Sequence, residues 1–268
     1  MTALAEKGAS LIGGRLRDWT PLTGGDLSQI LSIRLDDGRE AIVKSGSRSQ
    51  AEARMLNAIS ETGAPAPAVL AVSEGVLVLE RLPSDGSLGE ARHSLGRAAA
   101  TLHSTKGQHY GWPEDYAFGP VPIPNGWTES WPLFWAERRL LVHTPYLPSA
   151  LARRMELLAA ELPNRLPAQP SPSLLHGDLW SGNILAAENS ISGLIDPACY
   201  YGHAEVDIAM LCLFASPSGA FYEAYGALEE GHEERLNLYQ LWPALVHLRL
   251  FGNTYLGLVE SLLSKAGL

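Results

Sequence analysis

The densest concentration of reactive side chains lies between Leu174 and Leu185, which read L-L-H-G-D-L-W-S-G-N-I-L. An apolar run delivers His176, Gly177 and Asp178, and Asn183 follows five residues after the aspartate. A second apolar run then ends at Asp196 in G-L-I-D-P-A. This arrangement suits phosphoryl transfer, in which one carboxylate meets an acceptor hydroxyl while an amide oxygen and a second carboxylate hold metal over phosphate oxygens. Taken singly, each of these residues reads as a turn or cap. Taken jointly, H-G-D-x-x-x-x-N followed by an apolar strand and Asp is a specific pattern. A metal-dependent hydrolase is the competing reading; it needs further ligands nearby, and only His203 and Glu205 offer themselves.

The upstream half favours phosphoryl transfer. Lys44 ends the alternating strand A-I-V-K, and Glu52 lies in the helix that follows. A strand lysine held by a helix glutamate is a standard device for placing the α and β phosphates of ATP. The turn Thr23–Ser28 occupies the place of a phosphate-covering loop, where Gly24 and Gly25 could present backbone N–H groups. It is not a G-x-G-x-x-G motif and is weak on its own. Glu80 and Leu82, directly after V-L-V-L, stand where an inter-lobe hinge would bind adenine through its backbone. The implied cofactors are ATP and Mg2+.

The elements that must position these groups can be read from periodicity. Gln29–Leu35 and Ala41–Lys44 flank an Asp36-Asp37-Gly38 turn and form a β-hairpin. Ser49 onward turns helical and ends near Gly63, and Val69–Val72 and Val76–Leu79 read as two further strands. The first ninety residues therefore make a small antiparallel sheet with one helix. Beyond Leu88 the pattern is helical with Pro-rich connections: a helix ending near His103, one over Trp131–Val142, one over Arg153–Leu162 stopped by Pro163, and a helical tail from Glu233. Gly107–Gly126 is a long Pro/Gly/aromatic loop, a type usually tied to function. The fold class is α+β with two lobes, residues 1–82 and 83–268, divided near Arg81–Asp85.

Composition restricts the partners. With 268 residues, 46% hydrophobic and 18% charged, the chain has ample core material. A net charge of −9 and no basic block argue against a nucleic-acid partner. Cys199 and Cys212 match no metal or redox spacing, and no apolar run is long enough to span a bilayer or act as a signal peptide. A cytoplasmic protein acting on a small-molecule or glycated-amine substrate is expected.

H-G-D-L-W-S-G-N and I-D-P-A-C-Y-Y-G-H-A-E-V-D-I-A-M resemble the fructosamine (ketosamine) kinase family, a relative of the aminoglycoside and choline kinases. Pro124-Asn125-Gly126-Trp127-Thr128, with Trp131, Phe134, Glu137, Arg138 and Leu140, is similar to that family's mid-chain signature. Leu238–Leu241 with His247, Phe251, Gly252 and Tyr255 is similar to its C-terminal helix. The resemblance implies a two-lobed protein-kinase-like fold and phosphorylation of the third carbon of a ketosamine, such as fructosamine or ribulosamine, in deglycation repair. It makes Asp178 the catalytic base, gives Asn183 and Asp196 to Mg2+, and pairs Lys44 with Glu52. It assigns Asp207 to bracing the catalytic loop, His176 to packing within it, and Trp180 and His247 to the sugar-amine site. A kinase for another small alcohol or amine, aminoglycoside- or choline-like, is the alternative. A catalytically dead scaffold would have lost Lys44, Asp178, Asn183 or Asp196, and all four are kept. The redox-sensitive cysteine that some family members carry in the phosphate loop is missing here, so no redox control is expected there. Most of Trp112, Trp127, Trp131, Trp135 and Trp242 read as core, while His203 reads equally as a helix cap or a ligand contact.

Overall fold

A computed structural model describes residues 1–22, 29–214 and 217–268. The N-terminal part comprises α1 (Thr2–Leu11), β1 (Leu16–Pro21), β2 (Ile30–Leu35), β3 (Glu40–Ser45), α2 (Ser49–Glu61), β4 (Val69–Ser73) and β5 (Val76–Glu80). Its strands form one five-stranded sheet in the order β1-β2-β3-β5-β4, and every neighbouring pair is antiparallel. The β2–β3 hairpin pairs Ile33 with Ala41 across the predicted turn, where Gly38 takes φ +88°.

Both faces of this sheet are covered. Leu31, Ile33, Val43 and Val78 pack with Ala5 and Ala9 of α1, whereas Leu77 and Leu79 pack with Ala53 and Leu56 of α2. That is why Val76–Leu79 reads as an unbroken apolar run rather than an alternating one. Helix α1 is an addition to the single helix expected from sequence. It approaches so closely that a Cβ on Gly8 would stand 2.4 Å from a Val43 methyl.

The C-terminal part is mostly helical. It contains α3 (Arg92–Ser104), the hairpin β6 (Tyr116–Phe118) and β7 (Val121–Ile123), and a helical segment opened by α4 (Trp131–Phe134). That segment continues as a π-helical Trp135–Leu140 and a 3-10 stretch Leu141–Tyr146. Then come α5 (Ser149–Arg165), β8 (Ser173–Leu175), β9 (Ile184–Ala187), β10 (Ser190–Leu194), β11 (Tyr200–Gly202), α6 (Glu205–Phe214), α7 (Gly219–Tyr225), α8 (His232–Phe251) and α9 (Leu256–Lys265).

Two expectations are corrected. Helix α5 passes through Pro163 to Arg165: proline there removes only one late hydrogen bond, while buried Leu162 and the bond from Arg165 to the Ala266 carbonyl hold the last turn. The loop 107–126 contains the β6–β7 hairpin. Most of the five tryptophans are core, as expected: Trp112, Trp131, Trp135 and Trp242 are buried, and Trp127 is 48% exposed and stacks on Tyr201.

Met55 and Ile59 of α2 belong to the large core shared with the helical part, although other residues of α2 pack on the sheet. This double anchorage fixes the helix that carries Glu52. No helix among the described residues is long and apolar enough to cross a membrane.

Candidate active site

Strand β8 is buried throughout and leads straight into the loop that carries Asp178. Two consecutive backbone N–H groups of that loop, from His176 and Gly177, donate to the Asp207 carboxylate at 2.7 and 2.9 Å. Asp207 comes from α6, is fully buried, and also bonds the His103 ring at 3.1 Å. Gly177 takes φ +78°, and a Cβ there would meet the Ala198 carbonyl oxygen at 2.1 Å, so the bend admits no side chain. His176 is buried beneath the loop; its Nε2 donates to the Ile195 carbonyl at 3.0 Å and its Nδ1 accepts the Asp178 N–H at 3.3 Å. Burial pushes the His176 imidazole below its ordinary range, with the Asp207 charge opposing, which suits a neutral ring that donates on one side and accepts on the other.

Asn183 closes a short 3-10 turn and returns to the aspartate. Its Nδ2 donates to the Asp178 carbonyl and to Oδ2 of the Asp178 carboxylate, each at 2.9 Å. An amide committed in this way turns its Oδ1 away from Asp178, leaving a hard oxygen available as a ligand. The Ile195 N–H donates to the Asn183 carbonyl at 3.0 Å and so fixes Asp196 beside it. Asp196 adopts φ +54°, an uncommon conformation for a residue with a side chain, of the strained kind that clusters at functional sites. Burial drives the Asp178 carboxyl up to about 7; the Asn183 hydrogen bond opposes this, and the Asp196 and Asp207 charges reinforce it.

Lys44 reaches this group from β3. Its Nζ lies 2.7 Å from Oδ1 of Asp196 and 2.8 Å from Oε1 of Glu52, and its side chain is only 13% exposed. Burial alone would lower the lysine, but Glu52 and Asp196 more than offset it and hold the ammonium above its ordinary range. The predicted lysine, glutamate, base and ligand pair thus converge from β3, α2, the β8 loop and the turn after β10.

In front of them lies a cavity of about 290 Å³, lined by Lys44, Glu52, Asp178, Asn183 and Asp196 together with Trp180 and His247. Trp180 is 38% exposed, and its ring lies so close over Gly182 that a Cβ there would overlap it. The Nδ1 of His247 donates to the Pro243 carbonyl at 2.7 Å, and burial lowers its pKa.

Other candidates lie apart from this cavity. Glu80 uses its backbone N–H on the Ala68 carbonyl and its carboxylate on the Ala68 N–H, and Leu82 rests over Gly193; neither lines the cavity. Gly24 and Gly25 fall outside the described residues. His203 is buried against the Tyr239 hydroxyl at 2.8 Å and does not line the cavity. Its carbonyl accepts the Val206 N–H at the start of α6. Glu205 beside it is gripped by Arg235 through bonds of 2.7 and 2.6 Å, so this cluster is an internal ion pair rather than a metal site.

Sequence reasoning overlooked Arg48, Tyr116 and Phe118, which form one wall of the cavity. The available signal was Y-A-F-G-P-V-P-I, an alternating pattern around a Gly-Pro turn. This hairpin is firmly tethered. Arg54 of α2 makes a two-pronged bond to Glu114, and the buried Arg139 guanidinium bonds the Pro124 carbonyl and Oδ1 of Asn125 at 2.7 Å each.

The fructosamine kinase family model matches residues 9–267. A probable ketoamine kinase of Synechocystis sp. is 34% identical over 94% of this chain and 90% of its own length. A solved structure from Thermobifida fusca, assigned as a fructosamine-3-kinase, superposes with a TM-score of 0.91 at 28% identity and covers 99% of both chains. More distantly, an amicoumacin kinase solved with AMP-PNP and Ca2+ shares the fold, with a TM-score of 0.65 at 16% identity over 97% of this chain and 91% of its own.

Proposed function

The chain belongs to the fructosamine kinase family, and from that premise we propose that it transfers the γ-phosphoryl group of ATP to the 3-hydroxyl of a ketosamine at the Asp178 cavity. The observation that carries this reading is the meeting of Lys44, Glu52, Asp178, Asn183 and Asp196 at one end of a single cavity, with Trp180 and His247 lining the same space. Residues 1–82 serve as the nucleotide lobe and 83–268 as the catalytic lobe.

Asp178 accepts the proton of the attacking hydroxyl as the new O–P bond forms and ADP departs with the old one. A carboxyl held near 7 is well matched to this task at neutral pH. Lys44, charged and pinned by Glu52, orients the α and β phosphates. The free Asn183 amide oxygen and the Asp196 carboxylate are hard oxygen donors that fit Mg2+. Held by these two residues, the ion would supply charge neutralisation on the phosphate oxygens. Asp207 and His176 hold the loop backbone so that Asp178 faces the cavity.

Lys44→Met is expected to depress kcat far more than nucleotide affinity, because the lysine orients phosphates and does not grip the base. Steady-state kinetics beside ADP titration separates the two effects, and lost ADP binding with parental kcat would remove the role given to Lys44.

The function itself is tested by coupled ADP release with ketosamines, choline and an aminoglycoside run side by side. Ketosamines should lead by a wide margin in kcat/KM, and equal turnover of all three would reduce the enzyme to a general small-alcohol kinase. In the same assay Trp180→Ala should raise the ketosamine KM several-fold while leaving the ATP KM unchanged. An indole against an ammonium contributes about 0.5–2 kcal/mol. An unaltered ketosamine KM would make Trp180 a packing residue only.

A further inference from the structure

The cavity presents mostly negative charge at its reacting end, from Asp178, Asp196 and Glu52. Lys44, the cation among them, is held by two of these carboxylates. Such a site accommodates an ammonium and a hydroxyl, and it repels any carboxylate that arrives with them. Arg48 is the other lysine or arginine on the described wall.

Arg48 differs from Lys44 in its surroundings. No carboxylate among the described residues pairs with it. Its guanidinium instead lies over the Tyr116 ring, 5.8 Å from the centroid. A guanidinium supported on an aromatic face keeps its in-plane N–H groups free, the geometry that grips a carboxylate with two parallel bonds. Arg48 is also exposed and immediately precedes α2, whose first-turn acid, Glu52, is already held by Lys44. An arginine on this wall, held over Tyr116 and with no carboxylate partner among the described residues, is suited to receive an anion.

Building on the ketosamine reading, we propose that Arg48 binds the α-carboxylate of the acceptor, so that adducts of a sugar with a free α-amino acid are preferred over adducts whose carboxyl is capped as an amide. In a free amino-acid adduct the carboxylate is one carbon from the amine that bears the sugar. A single bound molecule then places its hydroxyl toward Asp178 and its carboxylate toward Arg48. A protein-bound adduct has no free carboxylate at that position. The γ-phosphate of ATP is the other anion that could reach this wall, and the experiment separates the two.

N-fructosylglycine and N-fructosylglycinamide are compared as acceptors for the parent, Arg48→Ala and Arg48→Lys, with the ATP KM measured in each case. Charge-assisted bonds at a partly open site should give the parent a preference of roughly tenfold for the free carboxylate, expressed in KM. That ratio should fall close to one in Arg48→Ala and be partly kept in Arg48→Lys, with the ATP KM unmoved. Taking the ratio within each variant cancels intrinsic differences between the two acceptors. A parent without preference, or an Arg48→Ala enzyme that keeps the parental ratio, overturns the proposal while leaving the ketosamine reading in place. A raised ATP KM with the ratio intact also overturns it, by assigning Arg48 to phosphate. If neither adduct is turned over or bound calorimetrically by the parent, the ketosamine reading fails and the proposal fails with it.

Discussion

Asp178→Asn is expected to lower kcat by roughly 10²–10⁴ while making the ligand-free protein more stable at pH 8, two effects with a single cause. The carboxylate is raised from the ordinary 3.8 to about 7 chiefly by burial, so at pH 8 the folded protein carries a charge that its surroundings disfavour. Between those two values the folded state keeps a proton that the unfolded chain has already lost. Stability from this group is thus complete below about 4, declines as the pH rises through that window, and is gone above about 7. An amide at the same position still accepts the Asn183 N–H and carries no charge to desolvate. The gain at pH 8 should be on the order of 1–3 kcal/mol, allowing for screening of a partly exposed group, and should vanish near pH 4. Denaturant titrations of both proteins at pH 4, 6 and 8 measure the stability, and saturating kinetics measure the rate. A parental kcat would remove Asp178 as the base, and a stability difference independent of pH would remove burial as the source of its raised pKa.

The parts of the site that were legible in sequence are those whose geometry is local or periodic. The H-G-D-x-x-x-x-N loop is short enough that spacing alone brings Asn183 back onto Asp178. The β2–β3 hairpin was legible because Leu31, Ile33 and Leu35 alternate along the α1-facing side of β2 and a Gly turn follows. Lys44 and Glu52 could be paired because a strand end and the next helical turn are eight residues apart. Helix α1 was not legible, since the residues it buries are Ala5, Gly8 and Ala9, too small to give a strong apolar stripe. Nor was the cavity wall, because Arg48, Tyr116 and Trp242 come together only through long-range packing. Arg48 in isolation looks like any exposed residue at a helix start. Pro163 misled for the opposite reason: a local rule about helix termination gave way to tertiary anchoring of the final turn.

Asp196→Ala should abolish turnover, a loss on the order of 10³-fold or more, because it removes the carboxylate assigned to Mg2+ beside Asn183. The protein should nevertheless fold. Lys44 is bound by both Glu52 and Asp196, so deleting Asp196 leaves a one-to-one pair with Glu52 at 2.8 Å and no unpartnered buried charge. Glu52→Ala also leaves Lys44 paired, with Asp196, but it removes a buried contact that joins α2 to the lysine, whereas the Asp196 side chain is 32% exposed. Backbone conformation requires a control. Asp196 sits at φ +54°, which alanine tolerates poorly and asparagine tolerates well. Asp196→Asn therefore removes the charge without the backbone penalty and should be as inactive as the alanine variant. Calorimetric titration with ADP in the presence and absence of Mg2+ supplies the readout besides activity. The parent should bind ADP more tightly with Mg2+ than without it, and both variants should lose that difference while retaining metal-free ADP binding. An Asp196→Asn enzyme that keeps both its rate and its Mg2+ response would mean that the metal is held elsewhere, and that the contact of Asp196 with Lys44 is an internal ion pair and nothing more.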